Sequence, residues 1–394
     1  MKPTDPTIVV APDSFKGSLA APGVCASIES GLRRAWPNAD VRSLPMADGG
    51  EGTLDAVLAA VGDQGTRGVL EVRGAGAAPV SAAWGALQRD GIRTAVIEVA
   101  QIVGITDVAG MRIPVAERST LGVGELLRAL LDDGIRSFMI GLGGSSTNDG
   151  GAGLLAALGL RLLDARGRPV SPTPEGLASV ASVDAAALDP RLRGARLTLM
   201  SDVSNPLCGA RGATAIFGPQ KGVRADQQQT FDSALARFAA LAEAAAGAPS
   251  HDRVAERPGA GAAGGLGFAL QLAGGTFASG AEVVAGLIGL DAALRGADWA
   301  ITGEGRSDAQ TLLGKAPYVV AQAARNAAVR TSLLSGSLDN DALPMLGTHF
   351  AGCFALPAGP ASLSDCIAGT GSLLADRAEQ MARLFDAARG FRGR

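Results

Sequence analysis

The chain has 394 residues, of which 47% are apolar and 19% are charged, and its formal net charge is −3. Its 55 Gly and 20 Pro exceed average usage but stay below the level of collagen-like or low-complexity chains. These figures predict folded domains with sizeable cores and exclude a disordered or fibrous protein. Because the chain has no long runs of Lys or Arg and a net negative charge, nucleic acid is not expected as a partner.

The predicted elements follow an α/β rhythm, in which short apolar runs end in Gly-rich polar loops and are followed by helical patterns. In chain order, the sequence predicts strands over 8–11, 41–44, 80–87, 94–99, 138–142, 197–200, 299–302 and 332–334. It predicts helices over 22–35, 121–131, 154–158, 225–246, 317–328 and 371–388, and a further helix that follows the loop 48–52 and ends near residue 61. The last third of the chain has the same alternation of strands, polar loops and helices as the first seventy residues. Domain boundaries are expected near 73–79 and 247–261.

Two long uncharged windows, 258–281 and 342–364, are interrupted by Gly or Pro, so they predict buried loops and strands rather than membrane spans. The first apolar run, 8–11, is too short for a secretory signal. We therefore expect a cytoplasmic protein with no membrane partner. The four Cys lack C-x-x-C spacing, which disfavours a zinc site or a disulfide framework. With only two His, a His-dependent hydrolase is a poor fit.

Lysine is rare in this chain. Four of the 35 basic residues are Lys, and the three internal ones, Lys16, Lys221 and Lys315, each stand next to Gly in a polar loop. An ammonium on a flexible stem can follow a phosphoryl group in a way that a planar guanidinium cannot. These positions indicate phosphate contacts, although chance retention at exposed turns is the alternative.

Carboxylates gather in the loops that follow predicted strands. These loops are 13–18 with Asp13, 48–53 with Asp48, 202–206 with Asp202 and 303–308 with Glu304. In open α/β sheets, ligands bind at the carboxyl ends of the strands, so four such loops indicate one shared site. Helix capping is the alternative for each residue taken singly.

The longest Gly-rich segment, 141–153, lies between a predicted strand and a predicted helix. Its backbone amides could cradle an anion, the hydroxyls of Ser145 and Thr147 could add donors, and Asp149 could hold Mg²⁺. A Walker A spacing is absent, and tight packing is the alternative explanation. Lys and amides for phosphate, carboxylates for Mg²⁺ and an Asp to receive a hydroxyl proton together indicate phosphoryl transfer.

Several strings match a known family in order along the chain. They include Ala-Pro-Asp-Ser-Phe-Lys-Gly-Ser at 11–18, Ala-Asp-Gly-Gly-Glu-Gly-Thr at 47–53, Phe-Gly-Pro-Gln-Lys-Gly at 217–222 and Thr-Gly-Glu-Gly-Arg-Ser-Asp at 302–308. Together with 143–151, 205–213, 259–267 and 314–317, they make the chain similar to the type 1 glycerate kinases. Ser307, where an apolar residue is usual, and the segments 98–105 and 332–339 depart from the family pattern.

The resemblance implies an ATP- and Mg²⁺-dependent kinase that converts D-glycerate to 2-phosphoglycerate. It also implies two α/β domains: a Rossmann-like parallel-sheet domain built from both chain ends, 1–76 with 285–394, and an inserted domain, 77–284. Formation of a homo-oligomer stays open.

Site roles follow as hypotheses from the resemblance. Asp202, Asp308 and Lys16 are the expected catalytic residues. One of the two aspartates would be the base and the other a metal ligand, and the sequence does not assign these two roles. The expected substrate contacts are Asp13, Ser14, Asp48, Glu51, Glu304 and Arg306. The expected ATP contacts are Gly143, Gly144, Ser145, Thr147, Asn148, Lys221 and Lys315, and the expected metal ligands are Asp149 and Asp202.

Three other functions remain open at this stage. The string Gly-Leu-Gly-Gly-Ser-Ser partly resembles the phosphate loop of another small-molecule kinase superfamily, which would act on a sugar or a mevalonate-like alcohol. A kinase could instead use another small hydroxy acid or the C3 hydroxyl of glycerate. A two-lobed solute-binding protein or a non-catalytic cytosolic binding protein would take up a ligand without consuming ATP.

Overall fold

The computed structural model describes residues 5–89, 91–249 and 251–390. Its strands are β1 Thr7–Val10, β2 Asp40–Ser43, β3 Gly65–Arg73, β4 Pro79–Arg89, β5 Ile92–Glu98, β6 Ser137–Gly141, β7 Arg161–Leu163, β8 Ser182–Asp184, β9 Arg196–Met200, β10 Thr276–Ala278, β11 Trp299–Thr302, β12 Arg306–Ser307, β13 Arg330–Ser335, β14 Ser337–Leu338 and β15 Gly352–Ala355. The order of strands and helices along the chain confirms the predicted α/β class.

The α-helices connect these strands. They are α1 Ala21–Ala35, α2 Thr53–Val61, α3 Ala100–Val103, α4 Val108–Met111, α5 Leu121–Asp132, α6 Ala152–Ala157, α7 Pro174–Leu177, α8 Ala213–Phe217, α9 Ala225–Ala246, α10 Leu266–Leu272, α11 Gly280–Leu287, α12 Leu290–Leu294, α13 Ala316–Asn326, α14 Leu343–Leu346, α15 Leu363–Ala368 and α16 Thr370–Gly390. None of the helices within the described ranges has the length and apolar character required to cross a bilayer.

The chain divides into two compact units. Unit 1 contains the residues up to Asp48, Asp55–Gly62 and the residues from Ala281 onward, whereas unit 2 contains Gly49–Leu54 and Asp63–Gly280. The strand β3 pairs with β4 and so lies in the sheet of unit 2, although the predicted limits place it in the first domain. The domain limits as a whole stay a prediction.

Within the described residues, unit 1 has a five-stranded parallel sheet in the order β15-β13-β11-β1-β2. From β1 the chain winds outward through α1 to β2, and from β11 it winds the other way through α13 to β13 and β15. The order therefore reverses between β1 and β11, which is the switch point where ligands bind in open α/β sheets.

Apolar residues cover both faces of this sheet, as an all-parallel sheet requires. Neighbouring residues of β13 serve opposite faces, because alternate side chains of a strand point in opposite directions. Leu334 packs in the cluster that contains Ile28 of α1 and Leu374 of α16. Leu333 packs with Ala321 of α13 and Leu346 of α14.

In the described part of unit 2, the sheet order is β10-β9-β6-β5-β4-β3. The strands β10, β9, β6 and β5 are parallel, and β4 and β3 extend the sheet as an antiparallel hairpin. Large fully buried side chains such as Phe138, Phe238 and Phe268 fill its core. The Gly-rich segment after β6 and the Asp202 loop after β9 therefore begin at the same edge of this sheet.

Candidate active site

A cavity of about 690 Å³ lies at the carboxyl edge of the unit 1 sheet. Its walls come from the loops that follow β1, β2, β11, β13 and β15. Three carboxylates line it, Asp13, Asp48 and Glu304. Three cations line it as well, Lys16, Arg306 and Lys315. The cavity therefore lies at the switch point of the sheet and is lined by charged side chains of both signs.

The loop after β1 is held in place by backbone hydrogen bonds. The amide of Asp13 donates to the carbonyl of Gly303 at 2.8 Å, which extends the pairing of β1 with β11. Phe15 and Leu19 exchange two backbone hydrogen bonds around Gly17, whose φ of +77° suits the reversal of the chain. Ser14 and Lys16, which flank the buried Phe15, both line the cavity.

Hydroxyl groups and a lysine hold the carboxylate of Glu304. Its Oε1 accepts hydrogen bonds from Thr311 Oγ1 at 2.6 Å and from Ser307 Oγ at 3.0 Å. Its Oε2 lies 3.8 Å from Lys315 Nζ. Ser307 Oγ also shares a 2.7 Å hydrogen bond with Ser335 Oγ. Both oxygens of Glu304 are thus engaged, and burial raises the pKa of this carboxyl.

Asp13 is a second cavity carboxylate whose pKa is raised. It is buried, and burial together with the negative charge of Asp48 raises its pKa to about 7. The Ser14 amide and the Lys16 ammonium oppose this shift, whereas Glu304 adds to it. The neutral form of the Asp13 carboxyl is therefore favoured in comparison with that of an exposed aspartate.

Asp308, one of the predicted catalytic residues, caps a short turn. Its Oδ1 accepts a hydrogen bond from the Gln310 amide at 2.8 Å, so that it caps the short 3₁₀ turn Ala309–Leu312. Its Oδ2 lies 4.0 Å from Arg306 Nε. Asp308 is not among the residues that line the cavity.

In unit 2, the Gly-rich segment after β6 is largely buried. Ser145 is 6% exposed, and Thr147, Asn148 and Asp149 are completely buried. Gly143 is half-buried and Gly144 is exposed. Of the residues predicted to contact ATP in this segment, these two glycines have the accessible backbone.

Asp149 holds the segment from inside. Its Oδ2 accepts hydrogen bonds from the amide and the hydroxyl of Thr120, both at 2.8 Å, and from the Gly153 amide at 3.2 Å. Its Oδ1 accepts from the Gly151 amide at 3.0 Å. With both oxygens occupied and no exposure, this carboxylate does not fit the expected metal ligand.

Lys221 is also interior, at 2% exposure. Its ammonium donates to the Thr147 carbonyl at 2.8 Å and to Ser145 Oγ at 3.1 Å. Burial is the main cause that lowers the pKa of Lys221 to about 7. The positive charge of Arg118 also lowers this pKa, whereas the negative charge of Asp149 opposes the shift. These contacts make Lys221 a support for the Gly-rich segment rather than a surface contact for phosphate.

The structure thus brings together six of the predicted ionic residues, Asp13, Lys16, Asp48, Glu304, Arg306 and Lys315, with Ser14 in the same wall. The other predicted residues are not among those that line this cavity. Asp308 caps a turn, and Asp202 and Glu51 are exposed residues of unit 2. Ser145, Thr147, Asn148, Asp149 and Lys221 form a buried network in unit 2.

Sequence reasoning missed two structural supports. Arg118 is buried, and its guanidinium donates to the carbonyls of Ser146 and Lys221 at 3.0 and 2.9 Å. Thr120 anchors Asp149. Nothing in the sequence distinguished Arg118 from the other arginines. The capping-type pattern of Thr120 before α5 was the one available signal for Thr120.

A parallel α/β sheet with a polar cavity at its switch point is the arrangement of an α/β enzyme that binds a small molecule at the carboxyl ends of its strands. Comparison with known proteins gives the family. The glycerate kinase family model matches residues 8–386, so the chain belongs to the glycerate kinase family. It is a kinase, and ATP is implied as its phosphoryl donor.

Similar proteins cover nearly the whole chain. A glycerate kinase of Bacillus subtilis is 41% identical over 91% of this chain and 92% of its own length. The glycerate 2-kinase of Escherichia coli is 40% identical over 85% of this chain and 86% of its own. A crystal structure from Salmonella typhimurium LT2, assigned to glycerate kinase 2, has a TM-score of 0.83 and 38% identity, covering 98% of this chain and all of that one.

Proposed function

We propose that the enzyme phosphorylates D-glycerate on its C2 hydroxyl, with Mg²⁺ and ATP, to give 2-phosphoglycerate. The observation that carries the proposal is the ionic cavity of unit 1, where three cations and three carboxylates converge. The name of the Escherichia coli relative, glycerate 2-kinase, supports the choice of substrate and of hydroxyl.

The cavity offers each chemical group of glycerate a partner. Lys16 and Arg306 are exposed cations that can pair with the substrate carboxylate. Ser14 and Asp48 can hydrogen-bond to its hydroxyl groups. Lys315, the residue that precedes α13, can neutralise phosphate oxygens of ATP.

Mg²⁺ in kinases is bound by one or two carboxylates together with phosphate oxygens and water. Among the described residues, no group of three or more His, Cys, Asp or Glu side chains is arranged to hold a metal ion. The exposed carboxylate of Asp202 after β9 fits the smaller requirement and would hold the ion, whose chemistry is to neutralise charge on the transferred phosphoryl group. Asp149, with its occupied oxygens, is better explained as a structural residue.

The roles of Gly143, Gly144, Ser145, Thr147, Asn148 and Lys221 in ATP binding stay predictions. The exposed backbone of Gly144 supports a direct contact with phosphate oxygens. Burial of the other side chains supports an indirect role, in which they fix the shape of the segment.

The test is an ADP-release assay with D-glycerate, ATP and Mg²⁺, followed by phosphorus NMR of the product. We expect turnover that requires Mg²⁺ and a phosphorus signal split by a single proton, because C2 carries one hydrogen. A signal split by two protons would place the phosphate on C3. Turnover with a sugar or another hydroxy acid, and none with glycerate, would overturn the substrate assignment.

A further inference from the structure

We infer that Asp13 is the catalytic residue that accepts the proton of the substrate hydroxyl during phosphoryl transfer. The inference rests on the proposed function and deepens it, because it assigns the base to a residue other than Asp202 or Asp308. The first support is position, since Asp13 follows β1 directly at the switch point and lines the cavity.

The second support is the free capacity of its carboxylate. Asp13 Oδ1 accepts the Ser14 amide at 2.6 Å, and no hydrogen bond from the described residues reaches Oδ2. By contrast, both oxygens of Glu304 are engaged by Thr311, Ser307 and Lys315. Asp308 is outside the cavity wall and is used as a helix cap. A proton acceptor needs an oxygen with a lone pair that no other hydrogen bond occupies, and Asp13, which lines the cavity, has one in Oδ2.

The third support is the electrostatic environment. The charged groups that face Asp13 are Asp48 from the loop after β2, Lys16 from its own loop, and Glu304, Arg306 and Lys315 from the segments that follow β11. Cys366 of α15 is a further titratable group in the wall. Burial and Asp48 raise the pKa of Asp13 to about 7, near the value at which a carboxylate is an effective base at neutral pH.

The step balances as follows. The hydroxyl oxygen of the substrate forms a bond to the γ-phosphorus of ATP, and the bond from that phosphorus to the bridging oxygen breaks. The bridging oxygen keeps the electron pair and leaves with ADP. The hydroxyl proton passes to Oδ2 of Asp13. Asp13 then releases this proton to solvent when the product departs.

Asp13→Asn tests the assignment. We expect kcat to fall by a factor of about 10² to 10⁴, the usual contribution of a general base, while KM for glycerate changes little. Asp291→Asn, an exposed aspartate of α12 in the same unit, is the matched control and should keep wild-type kinetics. Asp13→Glu should recover part of the lost activity. Turnover of Asp13→Asn within a factor of three of wild type would overturn the inference.

The pH profile gives a second readout that does not depend on the folding of the Asn variant. In the wild type, kcat/KM should rise with pH through about 7 as Asp13 loses its proton. Asp48→Asn removes a charge that raises the pKa of Asp13, so this limb should move to lower pH. Lys16→Met removes a charge that lowers it, so the limb should move to higher pH. Limbs that stay in place in both variants would contradict Asp13 as the base.

Failure of the proposed function has a different signature. If wild-type enzyme releases no ADP with glycerate but does so with another hydroxy acid, the substrate assignment fails and the Asp13 comparison is made with that acid. If wild type is active and Asp13→Asn equals it, the base assignment alone fails. If wild type phosphorylates no acceptor, both fail together.

Discussion

At the scale of single residues, the buried hydroxyl of Ser307 connects two parts of the unit 1 site. It donates to Glu304 and shares a hydrogen bond with Ser335 at the end of β13. Where the family pattern usually has an apolar residue, this chain thus has a polar one whose hydrogen-bonding capacity is used. The polar residue at position 307 is explained by a buried network of hydroxyl groups and a carboxylate, in which the members form hydrogen bonds with one another.

Ser307→Ala should lower the free energy of unfolding by about 1 to 3 kcal/mol, because it leaves Ser335 and Glu304 with one hydrogen bond fewer in a buried place. Urea denaturation followed by circular dichroism measures the change. Ser30→Ala, which removes an exposed hydroxyl on α1, is the control and should leave stability unchanged or slightly higher. Equal stability of the two variants would show that the network contributes nothing.

The lysines show how much of a site a sequence can reveal. Lys16 and Lys221 carry the same local signal, a Lys beside Gly in a polar loop, yet Lys16 is exposed in the cavity wall and Lys221 is 2% exposed. The difference arises from Arg118 and the 141–153 segment, which pack around Lys221 from distant parts of the chain. Strand-end loops were predictable because a strand's end is a local property. Burial was not, because it depends on long-range packing.

At the scale of elements, the contact between α1 and α16 depends on a glycine. A Cβ on Gly31 would lie 2.0 Å from the carbonyl oxygen of Ala375, so the two helices approach closer than any side chain would allow. The predicted bounds of α1, 22–35, agree with Ala21–Ala35 because Pro22 and the helical spacing of apolar residues are local signals. The strand β3 was not predicted, since its exposed residues follow no clear apolar alternation.

Gly31→Ala should therefore lower the free energy of unfolding by about 1 to 3 kcal/mol, the usual result of overpacking. Gly286→Ala in α11 is the matched variant, because a Cβ there meets open space. Its higher helix propensity should raise stability by up to about 1 kcal/mol. Thermal unfolding of both proteins checks the pair, and a stabilised Gly31→Ala would contradict the close approach.

At the scale of the whole molecule, the ionisation of Lys221 couples stability to pH. Burial lowers its pKa to about 7 in the folded chain, from an ordinary value of 10.5. Between these values the unfolded state binds more protons than the folded state, so the contribution of this group to stability rises with pH above about 7. Asp13 acts in the opposite sense at lower pH, because its raised pKa gives stability that is lost as pH rises from about 4 to about 7.

Urea denaturation between pH 7 and 8.5 should show a free energy of unfolding that rises faster with pH in wild type than in Lys221→Met. The difference in slope is bounded by about 1.4 kcal/mol per pH unit, the value for one proton. The exposed Arg112 of unit 2 provides the control, since Arg112→Met removes a surface cation and should keep the wild-type slope in this range. Parallel lines for wild type and Lys221→Met would show that Lys221 is charged in the folded protein.

The strand order of unit 1 has a consequence for synthesis on the ribosome. Strand β1 pairs with β11 through Ile8 and Trp299, so its central partner is made almost three hundred residues after it. Contacts of such long sequence separation form slowly. Unit 2 is nearly continuous in sequence, from Asp63 to Gly280, and can collapse while β1 still has an unpaired, apolar edge. We therefore expect the nascent chain to be most exposed to aggregation before β11 emerges and covers that edge.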